Sequence, residues 1–194
     1  VFVVALLARW AFGPQSAGPL VQQGYAALRE QRMAEAEAEF RKAARVAPDE
    51  ARCQLGLGLA LGAQGIDFSK KSVVNEQKFK EAVLAFESAG RLDPALAAQA
   101  DEHMARLYRC ISRNQIAAQL LKRAIARDNS KPEYSQSLGL VYWHLLNETG
   151  EQRYLELALR EFERVLTLQP AFPETNRYIR ELKERSSTLR TSGR

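Results

Sequence analysis

Residues that carry chemistry are what this sequence has least of. Histidine and cysteine occur twice each in 194 residues. Cys53 and Cys110 stand on different predicted helices without C-x-x-C spacing and read as packed free thiols. His103 and His144 have no neighbours at metal-ligand spacing, which argues against a zinc site. No nucleophile–base set, paired acids or phosphate loop stands at a convincing spacing. The run LGLGLALG at 55–62 has three glycines, but it lies inside a predicted helix and serves packing. Glu102 and His103 are adjacent, so a helix would point them about 100° apart. Nothing here predicts an enzyme or a cofactor.

Glycine and proline are also scarce, with 11 and 7 copies falling mostly between helical stretches. A basic stripe is missing as well. The net charge is +5, but residues 177–194 hold six cationic side chains against two acidic ones, which leaves the rest nearly neutral. A nucleic-acid binder spreads its excess across a folded face, so neither nucleic acid nor a small-molecule substrate is expected as a partner.

What the chain does have is helix-forming residues in a repeating order. Ala, Leu, Arg, Glu and Gln dominate, and all favour helices. One pattern recurs four times: a small residue, a bulky one four positions on, a small or branched one three further, then a stop. The sets are Ala36, Phe40, Ala43 and Pro48; Ala82, Phe86, Ala89 and Pro94; Ala117, Leu121, Ala124 and Asn129; and Ala158, Phe162, Val165 and Pro170. Upstream of each lies a second helix with Gly24, Gly58, Ala105 or Gly139 in one slot. Three positions later come Ala27, Leu61, Tyr108 and Tyr142.

This order resembles the tetratricopeptide repeat, W-x-x-L-G-x-x-Y, then A-x-x-x-F, then P, over about 34 residues. The Trp slot departs from it, holding Leu20, Gln54, Asp101 and Ser135. The resemblance implies an all-α, right-handed superhelical solenoid of about four helix pairs with a C-terminal capping helix. A pair cannot bury its apolar face alone, so each needs a neighbour. Phe86→Ala is expected to cost about 3–5 kcal/mol by opening a cavity between helices.

The expected segments are 17–50, 51–96, 98–131 and 132–170 for the solenoid and 171–194 for the cap and basic tail. In the capping helix Tyr178, Ile179 and Leu182 face inward. About 12 residues are inserted into the second pair and about 7 into the fourth, both expected as loops on one edge. The first insertion, with Ile66, Phe68, Lys70 and Lys71, is a candidate docking edge because it is apolar for an exposed loop.

In the tetratricopeptide family the first helix of each pair lines a concave groove. By resemblance, that face here carries Tyr25, Arg29, Arg52, Leu55, Leu59, Glu102, Arg106, Arg109, Gln136, Leu140, Trp143 and His144. Trp143 is the expected apolar anchor, with Arg106 and Arg109 as charge partners for an acidic group. The carboxylate clamp of chaperone-tail binders is missing, since Val21, Tyr25 and Gly56 occupy the positions for its Lys and Asn.

Residues 1–16 form an apolar segment and linker. Val1, Phe2, Val3, Val4, Leu6, Leu7 and Trp10 read as part of a membrane anchor, although about 20 apolar residues are needed to span. The expectation is a non-catalytic scaffold bound to other protein subunits and tethered to a bacterial inner membrane, with the periplasmic side favoured. The alternative is a soluble adaptor holding a partner peptide in its groove.

Overall fold

The computed structural model describes residues 17–172 and 174–192. Among them the chain is helical almost throughout, in two compact units. One comprises residues up to Asp67 with Val73–Leu96, the other Phe68–Ser72 with Ala97 onward.

In the first unit α1 (Ala17–Arg29) packs on α2 (Met33–Val46), α2 on α3 (Ala51–Gly65), and α3 on α4 (Glu76–Leu92). A 3-10 turn, Pro94–Leu96, closes it. In the second unit α5 (Ala97–Cys110) packs on α6 (Asn114–Arg127), α6 on α7 (Pro132–Thr149), and α7 on α8 (Gln152–Leu168). The last helix, α9 (Thr175–Ser192), packs on α8. The all-α architecture of paired helices expected from the sequence is therefore present.

The repeating residues make the pairs. Phe40, Phe86 and Phe162 are each at most 1% exposed. Each ring lies over a glycine of the preceding helix, so a methyl at Gly24, Gly58 or Gly139 would sit 2.8, 2.7 or 2.7 Å from the nearest ring carbon. That is far inside van der Waals contact, and only glycine lets the ring close on the backbone. Gly56 faces Phe40 from α3 in the same way, so one ring fills space against both α1 and α3.

The two pairs without insertions turn alike. Gln31 and Ser112 both have φ 59°, and the following amides, of Arg32 and Arg113, donate to Ala27 and Tyr108 carbonyls at 2.8 Å. The insertions behave differently from each other. The first forms a hairpin of two-residue strands, β1 (Ile66–Asp67) and β2 (Ser72–Val73). Asn75 then caps α4 by accepting from the Lys78 amide at 3.0 Å. The second forms no loop, contrary to expectation. It lengthens α7 to 18 residues and α8 to 17, joined through Gly150 at φ 71°.

One expectation is overturned. No helix among the described residues is long and apolar enough to cross a membrane. Of the two 18-residue helices, α9 is dominated by charged and polar residues and α7 carries them at both ends. The inner-membrane location and a membrane partner reached through the N-terminus are accordingly withdrawn. The residues on which they rested, Val1, Phe2, Val3, Val4, Leu6, Leu7 and Trp10, lie outside the described residues.

Candidate partner-binding faces

In the first unit the exposed side of the first helices is aromatic and cationic. Tyr25 is half-buried, its ring edge-on to Phe40 at 5.0 Å and its hydroxyl donating to the Arg52 carbonyl at 3.5 Å. Burial raises the Tyr25 pKa, and the nearby Arg52 charge partly opposes it. Arg29 and Arg52 are exposed and Leu59 is half-buried, while Leu55 is buried in the core. Behind this face an ionic network ties three helices. Glu37 accepts from Arg41, Lys78 and Gln64, each at 2.9 Å. Burial pushes the Glu37 pKa up, but these hydrogen bonds outweigh it and hold the carboxyl below its ordinary value.

In the second unit α5 and α7 touch directly. Arg106 is exposed, whereas Arg109, Leu140, Trp143 and His144 are half-buried. The Trp143 ring lies 5.2 Å from His144 and 6.4 Å from Tyr178 of α9, so part of it packs against the cap. Gln136 also serves the cap, accepting from the Thr175 hydroxyl at 3.1 Å. Glu102 is only 8% exposed. It lies 3.1 Å from His103 Nδ1 and 3.9 Å from Arg106 Nε, and it accepts from Ser137 at 3.5 Å.

The hairpin residues divide. Ile66 is 3% exposed and belongs to the core, whereas Phe68, Lys70 and Lys71 are exposed. Residues 68–72 group with the second unit. Burial, then Arg109 and Lys71, push the His144 imidazole below its ordinary value, against a smaller opposite effect of Glu148.

One arrangement departs from what the repeat pattern implies. Asp101, in the slot where the family pattern has Trp, is 2% exposed and is gripped by Arg123 and Arg127 of α6. An ion pair thus does the joining that an indole would do. Among the described residues no group of three or more His, Cys, Asp or Glu could hold a metal. Cys53 and Cys110 are free thiols, buried and half-buried.

Helices paired in sequence order, with Phe40, Phe86 and Phe162 of three second helices seated on Gly24, Gly58 and Gly139 of the first, decide the fold. It is the tetratricopeptide-repeat fold. A thermophilic tetratricopeptide protein of Thermus thermophilus superimposes with a TM-score of 0.67 at 18% identity, over 88% of this chain and 82% of its own. Pseudomonas aeruginosa pilF matches at 0.69 and 21% identity, over 89% and 70%. YrrB, described as a tetratricopeptide protein with an unusual peptide-binding site, matches at 0.60 and 17% identity, over 94% and 83%. No protein-family model matches the chain, and no curated protein sequence does. At these identities the tetratricopeptide likeness speaks to fold.

Proposed function

We propose that this chain is a non-catalytic adaptor that captures a segment of a partner protein on the exposed faces of its first helices. The observation that carries this reading is the α5–α7 face. There Trp143 and Leu140 of α7 are half-exposed, and Arg106 and Arg109 stand on α5, which touches α7, a mixture suited to an apolar anchor and an acidic group. YrrB, with the same fold, has a peptide-binding site, which supports assigning peptide capture here. Catalysis is no part of this reading.

The test is selection of peptides from a displayed library on the purified chain, followed by fluorescence anisotropy on those retained. Trp143→Ala is expected to weaken binding at least about tenfold, as loss of an aromatic anchor does. Arg106→Glu should weaken it further for acidic peptides. A library that yields no binder, or affinity unchanged in Trp143→Ala, rejects this face.

A further inference from the structure

In the first unit α2 and α4 both pack on α3, and two adjoining cavities of about 270 and 320 Å³ open over it. Both are lined by Arg41 of α2 and by Gln54 and Leu57 of α3, so they form one furrow. The smaller reaches Arg45 of α2, and the larger reaches Leu84, Ser88 and Arg91 of α4. Arg41 bridges the furrow to Glu81 of α4 at 2.6 Å.

Gln54 stands where the repeat pattern has Trp. In the second unit that slot holds Asp101, which Arg123 and Arg127 cover. By the spacing of the repeats, Ser88 and Leu92 take the places of those two arginines in the first unit. Gln54 and Ser88 are half-buried, and neither side chain makes a hydrogen bond among the described residues. The slot is filled in one unit and open in the other.

Charge at the rim of the furrow is equally unspent. Arg45 and Arg91, each in the last turn of its helix, are exposed and make no ion pair among the described residues. Glu87, one turn before Arg91, does not pair with it and lines neither cavity. Arg41 is already answered by Glu37 and Glu81. Beside these cations Leu84 is 60% exposed.

We propose that this furrow is a second docking site, which takes an aromatic side chain of a partner segment and holds an acidic neighbour of that side chain on Arg45 or Arg91. An apolar cavity of about 150 Å³ accommodates benzene, so the space here suits a larger ring. Leu57, Leu84 and Ala85 give the ring its apolar contacts. Gln54 and Ser88 supply acceptors for an indole N–H or a phenol O–H. The partner thus brings the aromatic group that the chain's own slot lacks. The site lies within the first unit and does not depend on the α5–α7 face.

The experiment titrates three ten-residue Gly-Ser peptides into the isotope-labelled full chain, followed by NMR. Their centres are Asp-Trp-Asp, Asn-Trp-Asn and Asp-Ala-Asp. The first is expected to shift the Gln54 side-chain amide signals and leave the Trp143 indole signal unmoved. The Asn-flanked peptide should bind about tenfold more weakly, the size of one charge-assisted contact. The Ala peptide should lose at least about tenfold, as an aromatic anchor does. Arg45→Glu combined with Arg91→Glu should bring the Asp-Trp-Asp peptide down to the level of the Asn-flanked one. High salt should shrink the same preference. Gln54→Trp fills the slot from within and should abolish binding without lowering the urea midpoint. Leu84→Glu, at an exposed position, should give the same loss without touching the core.

Equal binding of the Trp and Ala peptides, or of the Asp- and Asn-flanked ones, overturns the proposal. So does binding that survives both Gln54→Trp and Leu84→Glu, or that moves the Trp143 indole in place of Gln54. Absence of binding by the full chain also overturns it. Self-association in sedimentation that Leu84→Glu removes would place a second copy in the furrow and reject the partner segment. None of these results bears on peptide capture at the α5–α7 face, which stands or falls with Trp143→Ala.

Discussion

Asp101 shows how much one side chain can depart from a repeat pattern without breaking it. Its carboxylate is 2% exposed, yet Arg123 and Arg127 reach it from α6 with their outer parts in solvent. Asp101→Ala would leave two solvated arginines and an unfilled slot between α5 and α6. It is expected to cost about 1–3 kcal/mol in urea unfolding, below the cost of a fully buried pair because the arginines keep their water. A change under a few tenths would show that the pair only decorates the interface. His144 supplies a second residue-scale prediction. Its folded imidazole titrates below the ordinary value near 6.5, because of burial and then Arg109 and Lys71. Above about 6.5 both folded and unfolded forms are neutral, and the contribution is at its full value. As pH falls below that, the unfolded chain takes up the proton first, so stability declines until the folded pKa is passed. The urea midpoint should drop between pH 7.5 and 5.5, and His144→Gln should flatten that slope.

At the scale of helices and turns, the sequence spacing was a good guide wherever pairs are of ordinary length. Ala36, Phe40 and Ala43 are all buried, as the four-and-three spacing requires. The insertions were less legible for physical reasons. Two-residue strands such as Ile66–Asp67 are too short for alternation to mark them. In the fourth pair, Gly150 can end α7 wherever it stands, so seven extra residues could be loop or helix with equal local preference. The candidate face was only partly readable. Helical spacing sets Arg106 by Arg109 and Leu140 by Trp143, three positions apart, while setting the two helices on one face is implied only by the family resemblance. The turn at Ser112 yields its own prediction. A non-glycine residue at φ 59° costs about 1–2 kcal/mol relative to glycine, and glycine gives back about 0.5–1 in unfolded-state entropy. Ser112→Gly should therefore stabilise by up to about 1 kcal/mol, seen as a raised urea midpoint; a lowered midpoint would show that Ser112 makes a contact worth more than its strain.

Within a unit, helix pairs pack until something must cover the last one. In the second unit that cover is α9, where Tyr178 stacks on Phe162 at 5.2 Å and Leu182 is 1% exposed. A chain ending at Pro170 should bind an apolar dye and lose about 3 kcal/mol or more from the burial of those two residues. Unchanged unfolding would mean α9 is dispensable. The seating of Phe40 has a different kind of consequence. Its ring occupies the room of a methyl at both Gly24 and Gly56, on two helices. Neither glycine can accept even alanine while the ring stays, and the ring cannot shrink without leaving two gaps at once. Substitutions at these three positions are therefore ordered in time for any lineage of this protein. The phenylalanine must change first, through a weakened intermediate, before either glycine is free to vary, so the three positions should drift together or not at all.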